Sequence, residues 1–156
     1  MKYRVEHISS GEDEVVIRCR EVTEEIRQLL AKLQAAGQRL VGWREGEQVF
    51  IHTPEILYIE SVDGKTYVCT PQEVLRVEYT LQQLEHLLDA VNFFRCSKAM
   101  ILNIDKVQAL KSLACNRIDA TMASGEHIVI SRTYASEFRK RLKGGLNNDA
   151  QAAHSR

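Results

Sequence analysis

Residues 55–70, EILYIESVDGKTYVCT, restrict this chain more than any other stretch. Two runs alternate apolar and polar residues on either side of Val62-Asp63-Gly64-Lys65. Side chains on a strand alternate between faces, so period two around an Asp-Gly pair fits two antiparallel strands joined by a tight turn. A chain of 156 residues, 44% hydrophobic, is long enough to close one sizeable core around such hairpins.

The rest of the chain repeats that pattern and interrupts it with helical period. KYRVEHI and EVVIRCRE alternate and are joined by the turn-like SSGED, which predicts two half-buried strands. From Thr23 to Ala36 the period changes: Ile26, Leu29, Leu30 and Leu33 form one stripe, Glu24 and Glu25 occupy the first turn, and Gly37 is the stop. RLVGWREGEQVFIHT predicts two strands around a Glu-Gly-Glu turn. At Thr80 the phrase TLQQ fits a capping box, opening a short helix that buries Leu81, Leu84, Leu87 and Leu88. DKVQALKSL, RIDATMA and HIVIS then predict a strand meander. A basic helix follows Ser131, with Tyr134 and Phe138 at i and i+4 and Gly144-Gly145 as its stop. The expected fold class is mainly β with α (α+β). Its parts are a β-β-α extension over residues 1–45, one domain over 46–144, and a polar, disordered tail over 145–156.

Charge is unevenly spread, although the formal net charge is zero. Residues 1–92 carry ten Lys and Arg against sixteen Asp and Glu, whereas residues 93–143 carry ten against four. A basic half is a hint of polyanion binding, because Lys and Arg replace counterions on a phosphate backbone; ordinary surface charge is the alternative. The four cysteines form no C-x-x-C pair and the five histidines never join them at ligand spacing, so no metal and no disulfide framework are expected, and the thiols read as buried and free. Apolar runs fall short of a membrane span and the first residues make no signal-peptide block, which leads to the expectation of a cytoplasmic protein.

Catalytic signatures do not emerge. The chain has no Gly-rich phosphate loop, no G-x-S-x-G and no H-E-x-x-H. Cys96, flanked by Arg95, is the best candidate nucleophile, yet no base is placed beside it. The expectation is a protein that is not an enzyme, with no cofactor and no small-molecule substrate.

The stretch FFRCSKAMILN, Phe93 to Asn103, points elsewhere. It places Arg95, Ser97 and Lys98 just before an apolar strand, where a loop can project side chains from a rigid frame. Ser131, Arg132 and Thr133 lie just after a strand, at a helix N-terminus whose free amides make a natural phosphate seat. Each residue also has a plain structural reading, Ser131 as an N-cap and Arg95 as a side chain snorkelling over the sheet.

From about Phe50 to Gly144, the order of hairpin, leucine helix, FFRCSKAMILN, meander, IVISRTY and basic helix resembles a LytTR-type DNA-binding domain. In that family the first phrase runs close to F-x-R-[CV]-H-R-S-Y-I-V-N and the second to V-S-R-x-Y. The resemblance implies an elongated stack of small antiparallel sheets with short helices, which inserts loops into successive major grooves of double-stranded DNA. It also implies a bacterial transcriptional regulator, response regulator-like but without a receiver domain, acting as a homodimer and held in check by a membrane-protein partner. The implied DNA-binding residues are Lys65, Thr66 and Tyr67 at the hairpin, Ser97 and Lys98 in the second loop with Arg95 supporting that loop or touching the DNA backbone, and Ser131, Arg132 and Thr133 in the third. Ser97 stands where the family usually has His, Ala99 where it has Ser, and Thr133 where a second basic residue is common. Lys98 keeps the charge of the usual Arg without its planar fork. A degenerate LytTR-fold module that has lost DNA binding and binds a protein through its helix over residues 23–36 or an exposed strand edge is the alternative.

Overall fold

The computed structural model of the chain describes residues 1–35, 38–88 and 90–142. The Asp-Gly hairpin is built as its sequence predicts. Strands β3 (Tyr58–Val62) and β4 (Lys65–Cys69) pair antiparallel, with Ile59 opposite Val68, both fully buried. Asp63 and Gly64 hold φ of 51° and 77°, the two consecutive left-handed residues of a two-residue hairpin turn. A second hairpin of the same kind joins β1 (Arg39–Arg44) to β2 (Glu47–His52). With β5 (Val74–Val77), β6 (Phe93–Ser97) and β7 (Met100–Asn103), these strands form a seven-stranded antiparallel sheet in the order β2-β1-β5-β4-β3-β7-β6. The ladder from β1 to β5 brings residues of the expected extension, 1–45, into this main sheet. At Gly42 in β1 a Cβ would lie 2.8 Å from Ile51 and 3.2 Å from Leu75, so any larger residue here has to displace the core side chains around it.

Two cores share β6 and β7. The first lies between the large sheet and α2 (Leu81–Leu87) and contains Ile59, Val68, Leu75, Leu84 and Ile101. The second lies between β6 and β7, the three-stranded sheet of β8 (Val107–Leu113), β9 (Arg117–Met122) and β10 (His127–Ile130), and a helix over residues 132–142, here α3. Alternation divides the shared strands: Phe93 and Ile101 face the first core, Phe94, Cys96 and Leu102 the second. Strands covered on both faces read as continuous apolar runs, which explains the density of FF and MIL in this stretch. The helix i, i+4 pair contributes as its spacing predicts, with Phe138 fully buried and its ring 5.3 Å from that of Phe94. Burying one such side chain contributes roughly 1.5–3 kcal/mol.

Polar groups fix the junction. Asn103 is buried; its Nδ2 donates to the Ile56 carbonyl at 2.8 Å and its Oδ1 accepts from the Asp105 amide at 3.1 Å. The Tyr58 hydroxyl donates to Glu126, which ties the large sheet to the β9–β10 turn. Helix α2 starts with the capping box that TLQQ predicts: Thr80 Oγ1 accepts from the Gln83 amide at 3.1 Å, and Gln83 Oε1 accepts from the Thr80 amide at 3.0 Å.

The extension departs from expectation. Its helix α1 (Glu24–Ala35) is present, with Thr23 Oγ1 accepting from the Ile26 amide at 3.3 Å. Its two predicted strands are not: residues 1–23 form no ladder, and Tyr3 and Val5 remain 88% and 85% exposed. Alternation placed those side chains on one face, and among the described residues no sheet or helix covers that face. The stripe on α1 is likewise only partly covered, since Ile26 and Leu29 are half-buried and Leu30 and Leu33 are exposed. In α2, Leu87 is exposed whereas Leu81, Leu84 and Leu88 are buried. All four thiols are free as expected, but only Cys69 and Cys96 are buried; Cys19 and Cys115 are exposed. The expected tail at 145–156 and the helix stops at Gly37 and Gly144-Gly145 lie outside the described residues. No helix among the described residues is long and apolar enough to cross a membrane.

Candidate nucleic-acid interface

Three turns singled out by the sequence come together at one edge of the shared strands. The turn between β6 and β7 holds Lys98 and Ala99, both exposed, with Ser97 half-buried at its start. Two backbone hydrogen bonds fasten it to its neighbours: the Ser61 amide on β3 donates to Ala99 O at 2.8 Å, and the Ser131 amide at the end of β10 donates to Cys96 O at 3.0 Å. The β3–β4 hairpin and the start of α3 therefore flank the turn directly. Their positions relative to it are set by rigid strands rather than by flexible linkers.

Arg95 faces inward. Its guanidinium donates to Ser97 O at 2.8 Å and to Lys98 O, and pairs with Glu85 of α2 at 3.1 Å. It thus braces the turn from beneath. The geometry follows from register, since Arg95 lies opposite Ile101 on the face that packs towards α2. The Ser97 hydroxyl accepts from the Ala99 amide at 3.3 Å, tightening the same turn. Glu85 was not legible as part of this arrangement, because a carboxylate on the exposed side of a short helix carries no local sign of a partner ten residues away.

The remaining predicted residues divide by exposure. Lys65, Lys98, Arg132 and Thr133 are exposed, and Tyr67 and Ser131 are half-buried. Thr66 is different: only 6% exposed, it faces inward between Ser61 and Val77 and retains little surface for a macromolecular ligand. Together with Gly64, Thr80, Gln82, Glu85, Arg95 and Lys98, it lines a polar groove of about 520 Å³ between the hairpin tip, the start of α2 and the 97–99 turn. The expected contribution of the distal part of α3 to one basic surface is smaller than its composition implies. Arg139 donates to Asn116, and Arg141 lies over the Phe94 ring, 5.2 Å from its centre. Three exposed cations, one on each turn, are what the site offers: Lys65, Lys98 and Arg132.

Cys96 does not fit a nucleophile. It is fully buried, its thiol donates to Met100 O at 3.5 Å, and burial pushes its pKa up to about 12 despite the opposing charge of Arg95. A thiol held protonated is unreactive.

Residues 46–143 match the family described as LytTr DNA-binding domain. The chain is 29% identical over 142 residues to the sensory transduction protein LytT of Bacillus cereus, a match that covers 91% of this chain and 53% of that protein. It is 30% identical over 108 residues to LytT of Bacillus subtilis, covering 69% and 45%. The chain spans about half the length of the curated relatives it matches. A solved LytTr DNA-binding domain from Bacillus cereus superposes with a TM-score of 0.65 at 29% identity, covering 67% of this chain and 95% of that one. With the hairpin, the braced 97–99 turn and the helix that begins within IVISRTY in the order seen here, the chain belongs to the LytTR DNA-binding domain family.

Proposed function

We propose that this chain is a sequence-specific DNA-binding transcriptional regulator that presents its three turns to successive major grooves of one duplex. The observation that carries this reading is the pair of backbone bonds, Ser61 to Ala99 and Ser131 to Cys96, which hold three cation-bearing turns in fixed relation. Lys65, Lys98 and Arg132 are then the phosphate- and base-contacting cations, with Tyr67, Ser97, Ser131 and Thr133 as polar neighbours. Arg95 acts through the turn it braces. Lysine at position 98 is a point charge, so it favours phosphate or a single acceptor over the bidentate guanine contact open to Arg132. The reading includes action in the cytoplasm, where bacterial DNA is, a homodimer on DNA, and a membrane-protein partner that restrains it, the last supported by resemblance alone.

Phosphate contacts release counterions, and each one adds about one unit to the logarithmic dependence of affinity on salt. The test is a salt titration on a selected duplex. Lys98→Ala with Arg132→Ala is expected to weaken binding and lower that slope by at least about one, the share of the Lys98 phosphate contact, while Lys111→Ala, on exposed β8, leaves both unchanged. Unaltered affinity and slope in the double variant would overturn the assignment.

A further inference from the structure

Residues 2–8 and 13–18 are two arms without a ladder, joined by a bend over residues 9–11 in which Gly11 holds φ of 103°. They face each other across a groove of about 530 Å³, with Lys2, Arg4 and Glu6 on one side and Glu14, Val16 and Arg18 on the other. The alternate residues Tyr3, Val5, Val15, Ile17 and Cys19 do not line it, and all but the half-buried Ile17 are exposed. Every ingredient of a hairpin is present except the ladder.

Charge works against pairing the arms at the turn they make. Residues directly opposite each other in an antiparallel pair lie on the same face, and like charges there are destabilising. A turn about Gly11 would set Arg4 opposite Arg18 and Lys2 opposite Arg20; a turn about Ser10 would set Lys2 opposite Arg18 and Glu6 opposite Glu14. Both of these registers, the ones centred on or next to the observed turn at Gly11, place like charges together. Residues 14–20, EVVIRCR, behave differently against themselves. Run antiparallel about Ile17, the segment sets Glu14 opposite Arg20 twice, with Val15 opposite Cys19 and Ile17 opposite its own copy. Parallel self-pairing would stack Glu14 on Glu14 and Arg18 on Arg18.

We propose that residues 14–20 form an antiparallel strand pair with the same segment of a second copy of this chain, across a two-fold axis at Ile17. Such an interface is isologous and its charge pattern is self-complementary. A stable dimer needs at least about 1,200 Å² of buried surface, more than two seven-residue strands supply, so the contact extends over Tyr3 and Val5 on the same apolar side. This gives the homodimer its surface, and it rests on the regulatory reading only for what the dimer does, since self-association is read without DNA.

Sedimentation equilibrium of the full chain tests it, with Glu14→Arg, Arg20→Glu and an equimolar mixture of the two variants. The unaltered chain is expected to be a dimer at micromolar concentration. Each reversal alone places two like-charged pairs in the interface and raises the dissociation constant about tenfold or more. In the mixture, a Glu14→Arg chain facing an Arg20→Glu chain sets opposite charges against each other at both ends of the segment, so the two variants re-associate, which no third-party partner could reproduce. A monomeric unaltered chain, reversals that dimerise normally, or a mixture that stays monomeric each overturns the proposal. A chain that dimerises as expected yet binds no duplex removes the regulatory reading and leaves this one standing; a monomer that binds a duplex does the reverse.

Discussion

The β3–β4 hairpin buries Ile59 and Val68 completely, whereas the arms at residues 2–8 and 13–18 leave Tyr3 88% and Val5 85% exposed. Both regions alternate apolar and polar residues, and both turn at a glycine with positive φ. They differ in what opposes them. In β3–β4 the cross-strand pairs on the buried face are Ile59 with Val68, and β5, β7 and α2 close over them. In the arms the register centred on Gly11 opposes cation to cation, and among the described residues nothing covers Tyr3 or Val5. Alternation states which side chains share a face; whether that face acquires a partner is decided by charge register and by the rest of the chain.

Substitutions can break or sharpen this contrast. The largest expected effect is Ile59→Ala, which should lower unfolding free energy by about 2–5 kcal/mol in urea titration, while Val5→Ala in the arm stays within about 0.5 kcal/mol for the monomer. Equal losses would mean that the arms belong to the core after all. Gly42→Ala comes next: its Cβ would meet Ile51 at 2.8 Å, and overpacking of this kind costs about 1–3 kcal/mol. Gly64→Ala, which forces a Cβ into φ of 77° in a two-residue turn, should cost about 1 kcal/mol by the same measurement. Gly11→Ala, in chain without a ladder, should cost the monomer less and show its effect in self-association. Smallest in stability is Glu85→Gln. Its partly exposed pair with Arg95 is worth less than about 1 kcal/mol, yet duplex affinity should fall measurably as the brace on the 97–99 turn loosens. A Glu85→Gln protein with unchanged affinity would show that the turn holds its shape without the ion pair.

Much of the fold was legible because its signals are local. The turns Asp63-Gly64 and Glu45-Gly46, the capping box at Thr80 and the apolar run of β6 and β7 each act within a few residues. The positions of Lys65, Lys98 and Arg132 on three turns were legible for the same reason. What the sequence left open depends on distant partners. Thr66 is buried because β5 lies beside β4, and Arg95 turns inward because Glu85 approaches from α2. Arg139 and Arg141 are drawn away from a shared basic surface by Asn116 and Phe94. Cys19 is exposed because its segment acquires no ladder, and Cys115 because it sits in a left-handed turn at φ of 61°. In each case residue type and spacing were informative, and the missing quantity was the neighbour across the fold.

The central claim is that three braced turns read a DNA sequence together. The most direct measurement is selection of duplexes from a random pool by the full chain, followed by backbone-cleavage footprinting of the winner at several salt concentrations. The account predicts a short preferred motif, protection in successive major grooves on one face of the duplex, and affinity that falls steeply as salt rises. Binding that is weak, evenly spread along the duplex and indifferent to sequence would contradict it.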